Sequence, residues 1–107
     1  MVAIMAVILL LTDDQDVRLG SMQAMPTARD VLVNHGANLS NFFVHTPICC
    51  PSRATLLSGR FVQNNRVDNN AAKGCMRMNT SRDDNPEWWL SSVPVALHDL
   101  GYRTGLF

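Results

Sequence analysis

The sequence predicts an α/β fold built on a parallel sheet, and two observations lead there. Residues 2–11, "VAIMAVILLL", are an unbroken apolar run, the pattern of a strand covered on both faces. Behind it, short apolar runs alternate with stretches that open on Pro and close on Gly, giving the order β–α–β–α–loop–α–β. Strands alternating with helices in this way imply crossover connections and parallel pairing.

The first strand ends at Thr12, Asp13, Asp14, Gln15 and Asp16. In open α/β sheets the C-terminal ends of strands are where ligands bind. "MPTARDVLVNHG" follows: Pro26 suits a first helical turn and Gly36 a C-terminal cap, with Ala28, Val31, Leu32 and His35 on one face. "ANLSNFFVHT" reads as a second, short strand, with His45 as a packed residue near its end. From Pro51 to about Arg60 the pattern is helical, with Ala54, Leu56 and Leu57 as apolar contacts. Residues 63–87 are rich in Asn, Asp and Arg and read as a long surface excursion, with Arg66, Arg77 and Arg82 solvated. Trp88 and Trp89 are expected to cover core or a neighbouring segment, with carbohydrate stacking as the lesser alternative. Ser92 can cap a last helix, Pro94 can open it and Gly101 can close it; Tyr102–Phe107 then begins another strand. Because the sequence stops on that apolar run, residues 1–107 are expected to be the front part of a larger α/β domain, incomplete at its C-terminal end.

The 107 residues suffice for one modest core. Nine basic and nine acidic residues give a formal net charge of zero, so no broad field draws the chain to nucleic acid or a membrane surface. Eight of the nine bases are Arg, with Lys73 the exception, and planar Arg is the better partner for oxyanions. The apolar start lacks a basic leader and a small-residue cleavage site, and it is too short to span a bilayer. A strand is therefore the better reading than a signal peptide. Three cysteines cannot all pair within one chain.

"TPICCPSRATLLSGR", residues 46–60, carries the chemistry. Cys49, Pro51, Ser52 and Arg53 fit Cys-x-Pro-Ser-Arg, with Cys50 in the variable place, and "LLSGR" fits the Leu-x-Gly-Arg that closes the same signature. This resembles the type I sulfatase family, in which the first Cys is oxidised to formylglycine. "VILLLTDDQD" resembles that family's metal-binding first strand, and "LGYRTGLF" the helix-to-strand segment that follows. Adjacent cysteines, "LLTDDQD" and "GSMQAMP" are most similar to the N-acetylglucosamine-6-sulfatase and arylsulfatase branch. Gln63 and Asn65 depart from it, standing where close relatives often carry His.

The resemblance implies an alkaline-phosphatase-like α/β sandwich in which Cys49 and Arg53 are catalytic, and Asp13, Asp14 and residue 49 hold a divalent metal, usually calcium. It also implies sulfated carbohydrate or aryl sulfate substrates, a formylglycine-generating enzyme as partner, and a secreted or lysosomal parent protein. Its chemistry is coherent. A hydrated formylglycine is a geminal diol: one hydroxyl attacks sulfur and displaces the alcohol, and the other then loses its proton and expels sulfate, restoring the aldehyde. Arg53, four residues after Cys49, lies about one helical turn on, within reach of the aspartates and the diol. A helix N-terminus beside residue 49 favours negative charge.

Taken singly, each feature has a plain structural explanation. Paired Asp after a strand is commonly a solvated loop, and adjacent cysteines are commonly buried or bridged. Cys50 and Cys75 are either buried thiols or a disulfide pair. Asn38 and Asn79 fit the glycosylation sequon, a frequent chance match. A phosphatase of the same fold would use Ser or Thr as nucleophile, against Cys49. A zinc or thiol protein using His45, Cys49, Cys50 and Cys75 would lack the usual ligand spacing. A truncated, inactive sulfatase is the remaining rival, and the 107 residues alone are expected to be inactive and marginally folded.

Overall fold

A computed structural model describes residues 6–75 and 88–106, with no side-chain description at Trp88 and Trp89. The expectations for Arg77, Asn79 and Arg82, and for the side chains of both Trp residues, lie outside the described residues. The chain divides into two compact units, Met1–Phe42 and Phe43–Phe107.

In the first unit the apolar run carries no regular secondary structure from residue 6 to Leu11 and makes no strand ladder, and Ile8 is 88% exposed. A 3-10 turn at Ser21–Ala24 precedes helix α1, Pro26–Ala28, which opens on its proline as predicted. It runs directly into a π-helical turn, Arg29–Val33, closed by the Asn34 N–H donating to the Arg29 carbonyl at 3.0 Å. The helical stretch therefore stops short of Gly36.

The second unit is built on α2, Cys49–Ser58, the longest regular element among the described residues. Single-turn helices α3, Val62–Asn65, and α4, Ala72–Cys75, follow within the stretch expected to be an excursion. A 3-10 turn at Trp88–Ser91 leads to α5, Val93–Asp99. Ser92 occupies the N-cap position of α5 without a side-chain cap bond, Pro94 lies in its first turn, and Gly101 takes φ +88° just beyond it. That left-handed conformation is the one glycine adopts without steric cost.

The core of this unit is Ala54 and Val67, with Cys50 packed against them. Val67 is fully buried and Asn65 is 2% exposed. Residues 63–75 are thus partly interior, which corrects the expectation of a solvated excursion; Arg66 is exposed, as expected. Asn65 explains how a polar stretch can turn inward. Its Nδ2 donates to the Arg60 carbonyl at 2.9 Å and to Thr55 Oγ1 at 3.4 Å, while its Oδ1 accepts the Val67 N–H at 2.9 Å. A buried amide is tolerated when its donors and acceptor are matched in this way. His45 is exposed, with its ring 4.3 Å from that of Phe61.

The three expected strands, 2–11, 37–46 and 102–107, are not strands among the described residues. The reason is physical. A helix satisfies its backbone groups within itself, whereas a strand needs a second strand in register. Local signals at Pro26, Pro94 and Gly101 act without partners; the apolar run at 6–11 cannot.

Candidate active site

The first set of candidate residues is the polar cluster after Leu11. Its members divide by task. Thr12 Oγ1 donates to Gln15 Oε1, and Gln15 Nε2 lies 2.6 Å from the Met22 sulfur. Asp16 Oδ1 accepts the Leu19 N–H at 2.7 Å, and its own N–H donates to Ser21 Oγ at 3.3 Å. Asp16 is thereby committed to the turn that follows. Asp13 and Asp14 are both exposed, and Asp14 adopts φ +47°. Non-glycine residues seldom take that conformation, although Asp tolerates it better than most. Two adjacent carboxylates are hard oxygen donors and suit calcium or another hard divalent cation. A thiol does not suit calcium, so residue 49 fits such a donor set only after conversion to an oxygen-bearing group.

The second set lies on α2. Ile48 is its N-cap residue and has no side-chain acceptor, so Cys49, Cys50 and Pro51 are the first three helical positions. Pro51 brings no N–H and suits a first turn. The Cys50 N–H donates to the side chain of Asn70, Oδ1, at 2.8 Å. A residue twenty positions downstream thus caps the helix in place of Ile48. The Ser52 N–H donates to the Ile48 carbonyl at 3.0 Å and starts the helical ladder. At the far end, Gly59 takes φ +65° and closes α2 onto the Thr55 carbonyl at 2.9 Å.

Successive residues of a helix are turned by about 100°, so adjacent cysteines look in different directions. Cys50 packs against Ala54 and Val67 and is joined to Cys75 in a disulfide, with a Cα–Cα distance of 5.5 Å. This settles the alternative left open by the sequence. Cys49 stays outside the disulfide and is half-buried. Arg53, four residues on, shares its side of the helix and is exposed. Asp13 and Asp14 therefore belong to the first unit, and Cys49 and Arg53 to the second.

Sequence reasoning missed Asn70 and the structural use of Asn65. A signal for the first was present: "DNN" before the small residues of "AAKGC" is a turn-forming cluster beside the odd cysteine.

Residues 6–107 match the family described as Sulfatase, so the chain belongs to the sulfatase family, whose members share the alkaline-phosphatase-like fold. It is 38% identical over 105 residues to an extracellular sulfatase SULF-1 homolog of Drosophila melanogaster, covering 94% of this chain and 9% of that protein. It is 35% identical over 100 residues to the N-acetylglucosamine-6-sulfatase of Homo sapiens, covering 92% of this chain and 17% of that one. An arylsulfatase of Chlamydomonas reinhardtii is 41% identical over 59 residues, 53% of this chain and 9% of its own length. The chain spans less than a fifth of the length of these curated relatives. No solved structure matches it. The extracellular sulfatases are a branch that the motifs did not single out. No helix among the described residues is long and apolar enough to cross a membrane.

Proposed function

We propose that this chain supplies the nucleophile and part of the metal site of a sulfuric ester hydrolase. The observation that carries the reading is the division of labour between the adjacent cysteines. Cys50 is taken by the disulfide, while Cys49, the first Cys of Cys-x-Pro-Ser-Arg, stays outside it at the start of α2. In this reading a formylglycine-generating enzyme converts Cys49, and the aldehyde so made, once hydrated to the geminal diol, supplies the attacking hydroxyl for the ester sulfur. Asp13 and Asp14 would hold a divalent cation, calcium by donor type, and such a cation would supply charge neutralisation for a bound sulfate group. Arg53 stabilises anionic charge beside residue 49 with planar, paired donors.

The residues are read as part of an alkaline-phosphatase-like α/β sandwich. The apolar run at 6–11 is a sheet strand in the parent protein, and its exposure in the present chain is what an unpaired central strand would show. The favoured substrate is an N-acetylglucosamine 6-sulfate unit of a glycosaminoglycan, supported by the likeness to the human enzyme of that name. Aryl sulfate hydrolysis is the second reading, supported by the likeness to the algal arylsulfatase. A secreted or lysosomal location accords with a disulfide-bonded chain.

The deciding experiment is mass spectrometry of the peptide holding residues 49 and 50, after co-expression with a formylglycine-generating enzyme. Conversion at Cys49, with Cys50 recovered as a cysteine after reduction, is the expected result. An intact thiol at Cys49 would remove the basis of the proposal.

A further inference from the structure

We infer that Asn70 is a positioning residue for residue 49, acting by capping the helix that carries it. The inference rests on the proposed role of residue 49 as nucleophile and adds how that group is held. The N-cap residue of α2 is Ile48, whose side chain accepts no hydrogen bond. The acceptor comes instead from Asn70 Oδ1, 2.8 Å from the Cys50 N–H, one residue from the reacting position. The Cys50–Cys75 disulfide ties the same residue to the far end of the same loop. Cys50 is thus gripped at its backbone by Asn70 and at its side chain by Cys75.

The segment from residue 65 to residue 75 is built to present that acceptor. Val67 is buried beside Ala54 and anchors the segment's start. Asn69 Oδ1 accepts the Ala71 N–H at 2.8 Å, and its Nδ2 donates to Asp68 Oδ1 at 2.6 Å. This Asx turn sets the direction of the chain at Asn70. Gly74 is buried, and a Cβ there would collide with the Asn69 amide, so the glycine makes room for the turn. Nucleophile geometry has a steep effect on rate: a misplacement of about 1 Å can cost about 100-fold. A helix start held at one residue's N–H and at its sulfur resists that displacement at its neighbour.

The test compares Asn70→Ala and Asn70→Asp with the wild-type sequence, each in the active parent protein co-expressed with a formylglycine-generating enzyme. Amide hydrogen exchange at Cys50 reads the cap directly. Steady-state hydrolysis of an aryl sulfate, corrected for formylglycine occupancy by mass spectrometry, reads the positioning. In Asn70→Ala, Cys50 exchange is expected to quicken by about 10-fold. Its kcat is expected to fall by about 10-fold to 100-fold, with KM altered less than about threefold. Asn70→Asp keeps the acceptor oxygen and is expected to restore both protection and kcat, while its negative charge raises KM for an anionic substrate.

Unchanged Cys50 exchange in Asn70→Ala overturns the cap. An unchanged kcat, or a loss that Asn70→Asp fails to restore, overturns the positioning role. An inactive wild type with unconverted Cys49 is a different failure: it overturns the sulfatase reading and the positioning role with it, and the cap is still decided by the exchange measurement.

Discussion

Replacing both bridged cysteines, as Cys50→Ser with Cys75→Ser, removes a cross-link that spans 25 residues. In the chain-entropy account, a loop of that length constrains the unfolded ensemble by about 3.5 kcal/mol at 25 °C. The apolar core recorded for this unit is small by comparison. Only Ala54 and Val67 are buried hydrophobic residues among those described, and burying a valine side chain contributes about 1.5 to 3 kcal/mol. The cross-link should therefore outweigh the packing it sits beside. With a urea dependence of about 1 to 3 kcal/mol/M for small proteins, the midpoint of the double variant should fall by about 2 M. Wild-type protein melted in reductant should lose a similar amount, since reduction removes the same constraint. Hydrogen exchange should report the change at α2 and residues 65–75 first. A drop of less than about 0.5 M, or a wild-type midpoint indifferent to reductant, would refute the claim that the bridge holds this unit together.

Other outcomes follow from the remaining contacts. Asp13→Asn and Asp14→Asn should each weaken calcium binding and lower turnover in the active parent, read by calorimetry and by sulfate release; full activity in both would leave the pair as a solvated loop. Asn65→Ala leaves the Val67 N–H without its acceptor and the Arg60 carbonyl without its donor. It should destabilise the second unit by about 1 to 3 kcal/mol per group stranded, and a shift within error in a urea melt would count against the buried-amide account. On substrate, the active parent's kcat/KM for glucosamine 6-sulfate should exceed that for 2-sulfated and N-sulfated sugars, because that ratio reports differential transition-state binding. Equal values, with aryl sulfates turned over rapidly, would favour the arylsulfatase reading.

The elements legible from the sequence are those whose signals are local. Pro26 opens a helix, Pro94 lies in the first turn of another, and Gly101 follows with φ +88°. Helix α2 was expected from Pro51 and begins two residues earlier, at Cys49. That shift moves both cysteines into its first turn. It was hidden because its cap comes from Asn70, and a cap supplied across twenty residues leaves no mark in the local pattern. The apolar run at 6–11 was legible as strand-forming composition, but pairing is a property of two segments, and composition reports only one. The described part of the expected excursion, residues 63–75, turns partly inward for a related reason. Its Asn residues look solvent-loving, yet Asn65 satisfies three backbone and side-chain groups and becomes interior.

The two adjacent cysteines show how one pattern can serve two purposes. A thiol destined for oxidation must be kept from other thiols, because a chain with three cysteines in an oxidising compartment can pair them in more than one way. Pairing Cys50 with Cys75 uses up the other two and leaves Cys49 outside the bridge. The turn of about 100° per helical residue allows this without crowding, sending Cys50 towards Ala54 and Val67 while Cys49 stays on the side of Arg53. The same bridge ties α4 to the first turn of α2, where Asn70 caps Cys50. If Cys49 is converted as proposed, protection of that thiol and rigid placement of the residue it would become both follow from a single covalent bond. A variant that loses only Cys50 should accordingly be harmed more than the double variant, because it leaves Cys75 able to capture Cys49. Formylglycine yield at residue 49 should then fall in Cys50→Ser and recover when Cys75→Ser is added. Equal yields in the two variants would show that mispairing plays no part.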